Sequence, residues 1–308
     1  MTMSKFIVAV VMVLHATVAI AQPRGAGPVP EAVRNAQQLV REGKLEDAVE
    51  AYRAQLKDSP DSAAVNTGLG VVLDLMGHGP EARKYFAKAV EVAGTPQAKA
   101  NAQRAMAMSY AFEGDCAKTV KAEQTVFDYY VSTGDAYQQG EIADEAARVC
   151  IDSSNLDTAE KWYRIGYDAG LKEKGIKPER AALWNFRWEH AQARIAARRG
   201  QKDEAQKHVA AAKALLDSNA EMAKAQAVFY PYLAGYVAFY SGDYKKALEE
   251  LQRANQNDPF IQCLMAQTYE KLGQAEKATE LYEKASATTA HNPPAAYARP
   301  FARKKLGR

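Results

Sequence analysis

The chain reads Gly-Lys-Leu-Glu-Asp-Ala-Val-Glu-Ala-Tyr at residues 43–52 and, 34 residues further on, Gly-His-Gly-Pro-Glu-Ala-Arg-Lys-Tyr-Phe at residues 77–86. Three kinds of residue keep their places in both stretches, first as Gly43, Ala48 and Tyr52 and then as Gly77, Ala82 and Phe86. A period of this length is typical of a helix-turn-helix unit that stacks on copies of itself. The pattern predicts a helical solenoid, a class that usually binds partners rather than catalyses reactions.

Each unit reads as two amphipathic helices around a short turn. In residues 33–56 the apolar positions recur at helical spacing on both sides of Gly43, and Pro60 ends the unit. Small residues such as Ala36 and Ala48 would let the two helices approach closely. Tyr52 would then fill the interface with the following unit.

This arrangement resembles the tetratricopeptide repeat family, whose pattern places a small residue and a hydrophobe on the first helix, glycine in the turn, and small, aromatic and small residues on the second. Seven units follow the pattern, with turns at Gly43, Gly77, Gly114, Ser154-Asn155, Gly200, Gly242 and Gly273. The resemblance covers roughly residues 31–290. It implies an all-α fold, a right-handed α-solenoid of about seven antiparallel helix pairs.

Three places depart from the pattern. Thr119 and Glu123 stand where the third unit should carry its small and aromatic residues. A longer loop is predicted between residues 168 and 179, before a long helix that begins at Pro178. Pro231 predicts that the helix after residue 221 either begins afresh or kinks.

The domain organisation follows from composition. We predict a signal peptide at residues 1–21, a flexible Gly- and Pro-rich leader at 22–30, a tetratricopeptide-like repeat domain at 31–292 and a basic C-terminal tail or capping helix at 293–308. The net charge of the 308 residues is +3, and it falls to +2 without residues 1–21, whose only charge is Lys5. So small and interspersed a charge argues against nucleic acid as a partner.

The first 21 residues have the three parts of a secretory signal peptide. Lys5 precedes the apolar run 6–14, and the small residues Ala19 and Ala21 mark a cleavage site before Gln22. The alternative is an uncleaved membrane anchor, but a spanning helix needs about 20 apolar residues, and His15 and Thr17 interrupt this stretch. We therefore expect a periplasmic or secreted protein with no transmembrane segment in its mature chain.

Export changes how the three cysteines are interpreted. Cys116 opens the second helix of the third unit, and Cys150 lies late on the first helix of the fourth. These two ends are neighbours in an antiparallel stack, so a disulfide between them is possible in an oxidising compartment. Two separate buried thiols are the alternative. Cys263, among apolar residues, is expected to stay free.

The sequence carries no motif for a catalytic triad, a phosphate loop or a metal site, and no cofactor is predicted. The four histidines after residue 21, at positions 78, 190, 208 and 291, are scattered along the chain. Glu141, Asp144 and Glu145 share one helix, where an acidic cluster most often faces solvent. No catalytic and no metal-binding residue is predicted.

Two neighbouring helices carry the candidate binding residues. On the helix from Pro178, steps of three and four residues form a cationic stripe of Arg187, His190, Arg194 and Arg198. On the first helix of the sixth unit, an arc of about 100° collects Phe229, Tyr232, Tyr236, Phe239 and Tyr240. A solvated face offset by acidic residues of the next helix is the alternative for the first set, and core packing is the alternative for the second.

In the resembled family, first helices line a concave groove that takes extended peptides or partner helices. The resemblance therefore implies a cationic and aromatic groove, suited to a protein or peptide partner with acidic side chains or a free C-terminal carboxylate. His190 would strengthen such binding at mildly acidic pH.

These features favour a non-enzymatic interaction scaffold or adaptor of the cell envelope. Two other functions stay open at this point. A binder of glycan or another envelope polymer would use the same aromatic rings for stacking. An enzyme would need titratable groups that converge in a cleft inside the superhelix. The identity of the partner and the oligomeric state are left open by the sequence.

Cleavage after Ala21 is the first testable prediction. Protein isolated from its native host should have the intact mass of a chain that begins at Gln22, because the small residues at 19 and 21 are what a signal peptidase reads. A chain that keeps residues 1–21 and fractionates with the membrane would contradict export with cleavage.

Overall fold

The computed structural model describes residues 31–308. The predicted signal peptide and leader, residues 1–30, lie outside the described residues. Within the described range the chain forms sixteen α-helices and no β-strand.

The first eight helices build four antiparallel pairs: α1 (Glu31–Arg41), α2 (Leu45–Asp58), α3 (Ala63–Met76), α4 (Gly79–Glu91), α5 (Pro96–Phe112), α6 (Cys116–Thr133), α7 (Ala136–Asp152) and α8 (Leu156–Gly170). The remaining eight are α9 (Pro178–Arg198), α10 (Lys202–Asp217), α11 (Ala220–Ala225), α12 (Phe229–Ser241), α13 (Tyr244–Leu251), α14 (Pro259–Lys271), α15 (Ala275–Ser286) and α16 (Pro293–Lys305).

Seven helix pairs stack along the described chain, with α11 inserted between the fifth and sixth pairs and α16 following the seventh. Each helix packs on its partner, and the second helix of a pair packs on the first helix of the next. Tight turns with positive φ join the partners, for instance at Gly77 (φ 89°) and Gly242 (φ 88°), a backbone conformation that glycine adopts without steric cost. The predicted all-α repeat solenoid is confirmed.

The irregular places of the sequence have distinct structural outcomes. The longer loop lies between α8 and α9, and α9 begins at Pro178 as predicted. The helix after residue 221 begins afresh, because α11 ends at Ala225 and α12 starts at Phe229 with Pro231 buried in its first turn. Pro231 therefore needs no hydrogen bond that a helix interior would require.

The third pair shows what replaces the missing aromatic residue. Helix α6 is regular over 18 residues, and the Glu123 side chain is fully buried in it. Arg104 makes a two-point ion pair with Glu145 instead, so neither carboxyl oxygen of Glu123 has a hydrogen-bond partner among residues 31–308. Burial, and next the charge of Glu145, raise the pKa of Glu123 well above its usual value, against the opposing charge of Arg104.

The predicted disulfide is present. Cys116 at the start of α6 and Cys150 near the end of α7 are bonded, with their Cα atoms 4.8 Å apart. Cys263 is a free, buried cysteine. The bridge closes a loop that spans 34 residues, and the chain-entropy model gives a stabilisation of about 3–4 kcal/mol for a loop of that size.

The last helix packs on the last pair and also reaches the first helices of the second, third and fourth pairs. Helix α16 packs on α14 and α15, and on its other side it reaches α5 and α7. His291, in the segment before α16, and Arg299 within it extend this contact to Asp74 and Leu75 of α3. We call the packing of His291, Ala296 and Arg299 on α3, α5 and α7 the closing contact. Among residues 31–308, no helix combines the length and the hydropathy that a bilayer span requires.

Replacing Glu123 by Met is expected to stabilise the protein, by about 1–3 kcal/mol at pH 7 and above, because an unpaired buried polar group is removed. The gain should depend on pH. The raised pKa of Glu123 means that the folded state keeps a proton that the unfolded state releases above about pH 4.5. The wild type therefore loses stability as the pH rises through the interval between its unfolded and folded pKa values, whereas the variant does not.

Urea denaturation followed by circular dichroism between pH 4 and 8 measures this difference. The matched control is Glu280→Met at an exposed position, which should change the free energy of unfolding by less than about 0.5 kcal/mol at any pH. A Glu123→Met gain that is constant with pH, or a loss, would contradict this account of Glu123.

Candidate functional site

The cationic stripe of α9 lies between α7, α8 and α12, and its members have unlike surroundings. Arg187 forms ion pairs with Glu141 and, at 2.8 Å, with Asp144, both on α7. Its guanidinium also lies 4.4 Å from the ring centre of Trp184. Acidic residues thus offset this arginine, but they come from the first helix of the preceding pair rather than from the next helix.

Arg194 is buried in the molecule. Only 5% of the residue is exposed, and its Nη2 donates to the hydroxyl of Tyr163 at 2.5 Å while Nη1 donates to that of Tyr232 at 3.4 Å. The expectation that Arg194 offers its charge to a ligand therefore does not fit its burial. The guanidinium is held by tyrosine hydroxyls and rings from α8 and α12.

His190 lies one turn earlier and is also buried. Its ring centre is 5.3 Å from that of Tyr232 and 6.0 Å from that of Phe186. Burial first, and then the positive charges of Arg194 and Arg148, hold the pKa of His190 well below 6.5. This direction of the pKa argues against the expectation that His190 becomes charged at mildly acidic pH. Its effect on binding stays a prediction.

The aromatic arc of α12 is divided between core and surface. Tyr232 and Tyr236 are 4% and 0% exposed and pack on Phe260 of α14, with ring centres 5.9 and 6.3 Å away. Core packing is the right interpretation for these two. Phe239 and Tyr240 are partly exposed at the C-terminal end of the helix, and Phe229 is half exposed at its N-terminal end.

Arg198, at the C-terminal end of α9, is the member of the cationic stripe that contacts the partly exposed end of the aromatic arc. It is partly exposed, its Nη2 donates to Ser154 Oγ at 2.7 Å, and its Nη1 donates to the Tyr236 hydroxyl at 3.4 Å. Its guanidinium lies 5.0 Å from the ring centre of Tyr240. We call the surface of Arg198, Phe239 and Tyr240 the arginine-aromatic rim.

Helix α7 supplies charged groups that the sequence reasoning missed or misplaced. The Arg148 guanidinium lies 5.0 Å from the ring centre of Phe260, and it interacts electrostatically with Asp152, one turn further along α7. Burial raises the pKa of Asp152 to about 6, against the pull of Arg148. The acidic cluster of α7 is not a solvated face, since Asp144 pairs with Arg187 and Glu145 with Arg104. The sequence does carry a signal for these buried charges: Asp144, Arg148 and Asp152 alternate in sign at four-residue steps along α7.

The described residues hold no group of three or more His, Cys, Asp and Glu side chains that could bind a metal ion. The chemistry of the interior is that of arginines packed on tyrosines. Such contacts hold guanidinium groups in place by hydrogen bonds and by the negative faces of the rings. The arrangement can position charge for recognition, and the rim is the part of it that reaches solvent.

Stacked helix pairs with small residues at their contacts define a helical repeat solenoid. Comparison with known proteins specifies the repeat. Residues 39–107 match one model described as a tetratricopeptide repeat, and residues 261–287 match a second with the same description. These two segments of the chain are thus tetratricopeptide repeats.

Solved structures agree with this assignment at the level of fold. A tetratricopeptide repeat protein from Parabacteroides merdae has 17% sequence identity and a TM-score of 0.51, over 83% of this chain and 91% of that one. The apo form of RapI has 10% identity and a TM-score of 0.55, over 90% and 97% of the two chains.

A Rap protein in complex with Competence and Sporulation Factor has 13% identity and a TM-score of 0.52, over 90% of this chain and 74% of that one. At these identities the likeness shows a common fold. The comparison with curated protein sequences gave no match.

Replacing Arg194 by Ala is expected to lower the free energy of unfolding by about 2–4 kcal/mol, because the hydroxyls of Tyr163 and Tyr232 lose a buried partner. Guanidinium chloride denaturation followed by circular dichroism measures the change. Arg199→Ala, at the residue that follows α9, is the control, since Arg199 makes ion pairs with Asp157 and Glu160 near the surface and its replacement should cost less than about 1 kcal/mol. Equal effects of the two substitutions would contradict a structural role for Arg194.

Proposed function

We propose that this protein is an exported, non-enzymatic scaffold of the cell envelope that binds a peptide or partner protein at the arginine-aromatic rim, on the concave side of the solenoid. Tetratricopeptide folds are typically interaction scaffolds, which supports binding in general. Export is supported by the sequence of residues 1–21, which lie outside the described residues.

The observation that carries the proposal is the environment of Arg198. Arg187 of α9 and Arg199 just after it form ion pairs with carboxylates of the chain itself. Arg198 is instead hydrogen-bonded to the hydroxyls of Ser154 and Tyr236, and the Asp152 carboxylate attracts it only from beyond hydrogen-bond distance. Hydroxyl groups orient a guanidinium without neutralising it. Arg198 can therefore grip a carboxylate of a partner at two points, as arginine does in acidic-motif recognition.

The neighbouring rings supply contact area. Tyr240 lies under the Arg198 guanidinium, and Phe239 is 5.1 Å from Tyr240 and 5.7 Å from Tyr244 between ring centres. These rings are already held against one another, so a ligand would bury apolar surface with little loss of side-chain freedom. An acidic peptide, or a peptide with a free C-terminal carboxylate beside an apolar residue, fits this combination.

The binding test uses the mature chain as bait in a native envelope extract, followed by titration of the recovered partner. Arg198→Ala and Tyr240→Ala should each weaken binding by about 1–3 kcal/mol with unchanged helical circular dichroism. Arg198→Lys should restore only part of the loss, because lysine lacks the planar fork of donors.

The control is Arg199→Ala, which removes the adjacent surface arginine and should leave affinity unchanged. A partner that binds the Arg198→Ala and Tyr240→Ala variants as tightly as the wild type would overturn the proposed site.

A glycan ligand is the second candidate, favoured by the same partly exposed rings at Phe239, Tyr240 and Tyr244. Sugar rings stack on aromatic faces without requiring a cation. Binding of envelope glycan that is lost in Tyr240→Ala but kept in Arg198→Ala would favour this function over peptide binding.

A further inference from the structure

Helix α7 carries two opposite charges that do not pair with each other. Arg148 and Asp152 stand four residues apart, a spacing at which opposite charges on one helix commonly form an ion pair. Both oxygens of the Asp152 carboxylate and the Nε and Nη2 atoms of the Arg148 guanidinium have no hydrogen-bond partner within residues 31–308, and all four atoms are buried. A buried charged group without a partner is strongly destabilising. These groups therefore call for partners from outside the chain.

The surroundings attract Arg148 and Asp152 without satisfying these four atoms. The Arg148 guanidinium lies 5.0 Å from the ring centre of Phe260 and 5.8 Å from that of Tyr232, and the Arg194 guanidinium lies 5.9 Å from the same Tyr232 ring centre. Ring faces attract a cation, but they do not use the hydrogen-bond donors in the guanidinium plane. Asp152 interacts electrostatically with both arginines. Two guanidinium groups thus face one tyrosine ring, with a carboxylate in electrostatic reach of both.

Helix α9 adds two more polar atoms without partners. Arg194 and His190 are 5% and 8% exposed, and neither Nε of Arg194 nor Nε2 of His190 has a hydrogen-bond partner in the described part of the chain. Both side chains interact electrostatically with Arg148. Unsatisfied polar groups therefore come together from two helices, which a single misplaced side chain would not produce.

A small molecule can reach Arg148 and Asp152 from solvent. Both residues are partly exposed, although the four atoms without partners are covered. Side-chain rotation, which is common when a ligand binds, would bring these atoms to the entering molecule.

The two residues offer complementary chemistry. The edge of a guanidinium formed by Nε and one Nη presents two parallel donors, which bind a carboxylate at two points. An aspartate with two unpartnered oxygens accepts hydrogen bonds from an ammonium group. Because Arg148 and Asp152 lie about one helical turn apart, the two recognition groups are neighbours. Together they suit a small molecule that carries a carboxylate and an ammonium group side by side.

We propose that Arg148 and Asp152 form a binding site for a free α-amino acid, with the ligand carboxylate on Nε and Nη2 of Arg148 and the ligand ammonium group on the Asp152 carboxylate. The Tyr232 and Phe260 rings beside Arg148 supply apolar surface for the ligand side chain. A free amino acid carries both charged groups on one carbon, whereas a peptide carries them at opposite ends. The ligand therefore differs from the peptide of the proposed function, and the site contains no residue of the arginine-aromatic rim.

The probes are the standard L-amino acids, added one at a time to the mature chain, with the thermal midpoint of unfolding as the readout. A bound amino acid stabilises the folded state and raises this midpoint. Measurement at pH 8 keeps Asp152 ionised, because burial raises its pKa only to about 6, against the pull of Arg148. At least one amino acid should raise the midpoint, and isothermal titration should then give one site per chain. An unchanged midpoint with all of them would overturn the proposal.

Two derivatives of the amino acid that binds test both charges without any change to the protein. The N-acetyl derivative lacks the ammonium group, and the carboxamide lacks the carboxylate. Each should bind at least about tenfold more weakly than the parent amino acid, because one charge-assisted contact is lost. Equal affinity of either derivative would show that the two charges are not recognised together, and the proposal would fail.

The variants Arg148→Gln and Asp152→Asn test the two residues separately. Each should weaken binding of the parent amino acid at least about tenfold, because a neutral group replaces a charged one. The matched controls are Arg164→Gln and Asp168→Asn, which change exposed residues with the same spacing on α8 and should bind like the wild type. Wild-type affinity in either α7 variant would overturn the proposal. Where those variants do not fold, the two derivatives decide the question on the unchanged protein.

Discussion

The close approach of small residues to large ones sets the spacing of the stacked helices, and the rest of the molecule depends on that spacing. Helix α3 carries a glycine on each side. A Cβ atom at Gly68 would lie 2.5 Å from the Tyr52 ring of the first pair, and one at Gly70 would lie 2.6 Å from the Phe86 ring of its own partner helix. Real Cβ atoms are not found so close to their neighbours. Alternating glycine and aromatic residues therefore fix both interfaces of a unit at once.

This stacking also determines where charge has to be buried. Because α7, α9, α12 and α14 are brought against one another, Arg187 and Arg194 of α9 have little access to water. Burying a charged group without compensation costs several kcal/mol, so each guanidinium must find a partner inside. Arg187 has carboxylates and Arg194 has tyrosine hydroxyls. Arg198, at the end of the helix, meets the requirement only in part and keeps access to solvent.

Much of the fold could be predicted because its determinants are local. The turn residues and the small residues of each unit place the pairs. Cys116 and Cys150 lie at neighbouring ends of two stacked helices, which is why their disulfide could be expected. The site could be predicted less well. Helical spacing correctly places Arg194 and Tyr236 on stripes of their helices, but whether a stripe faces solvent depends on how the superhelix curves. That curvature sums small rotations over many pairs and leaves no local mark.

Contacts between residues far apart in the chain cannot be predicted from local sequence patterns. Nothing in the neighbourhood of Asp74 or His291 indicates that they meet, since 217 residues separate them. The environment of Glu123 could be predicted in part. Its departure from the repeat pattern was visible in the sequence, but its loss of a partner to the Arg104–Glu145 pair was not.

The closing contact changes the thermodynamic character of the solenoid. An open solenoid behaves as a one-dimensional array, in which a unit senses only its neighbours and the ends fray independently. Here Arg299 completes the end of α3, so the second pair and the last helix share one interaction across most of the chain. Loss of either end then weakens the other, and unfolding becomes more cooperative than nearest-neighbour coupling allows. The same contact joins residues far apart in sequence, so folding has to close a loop of more than two hundred residues, at an entropic cost that local helix pairing does not carry.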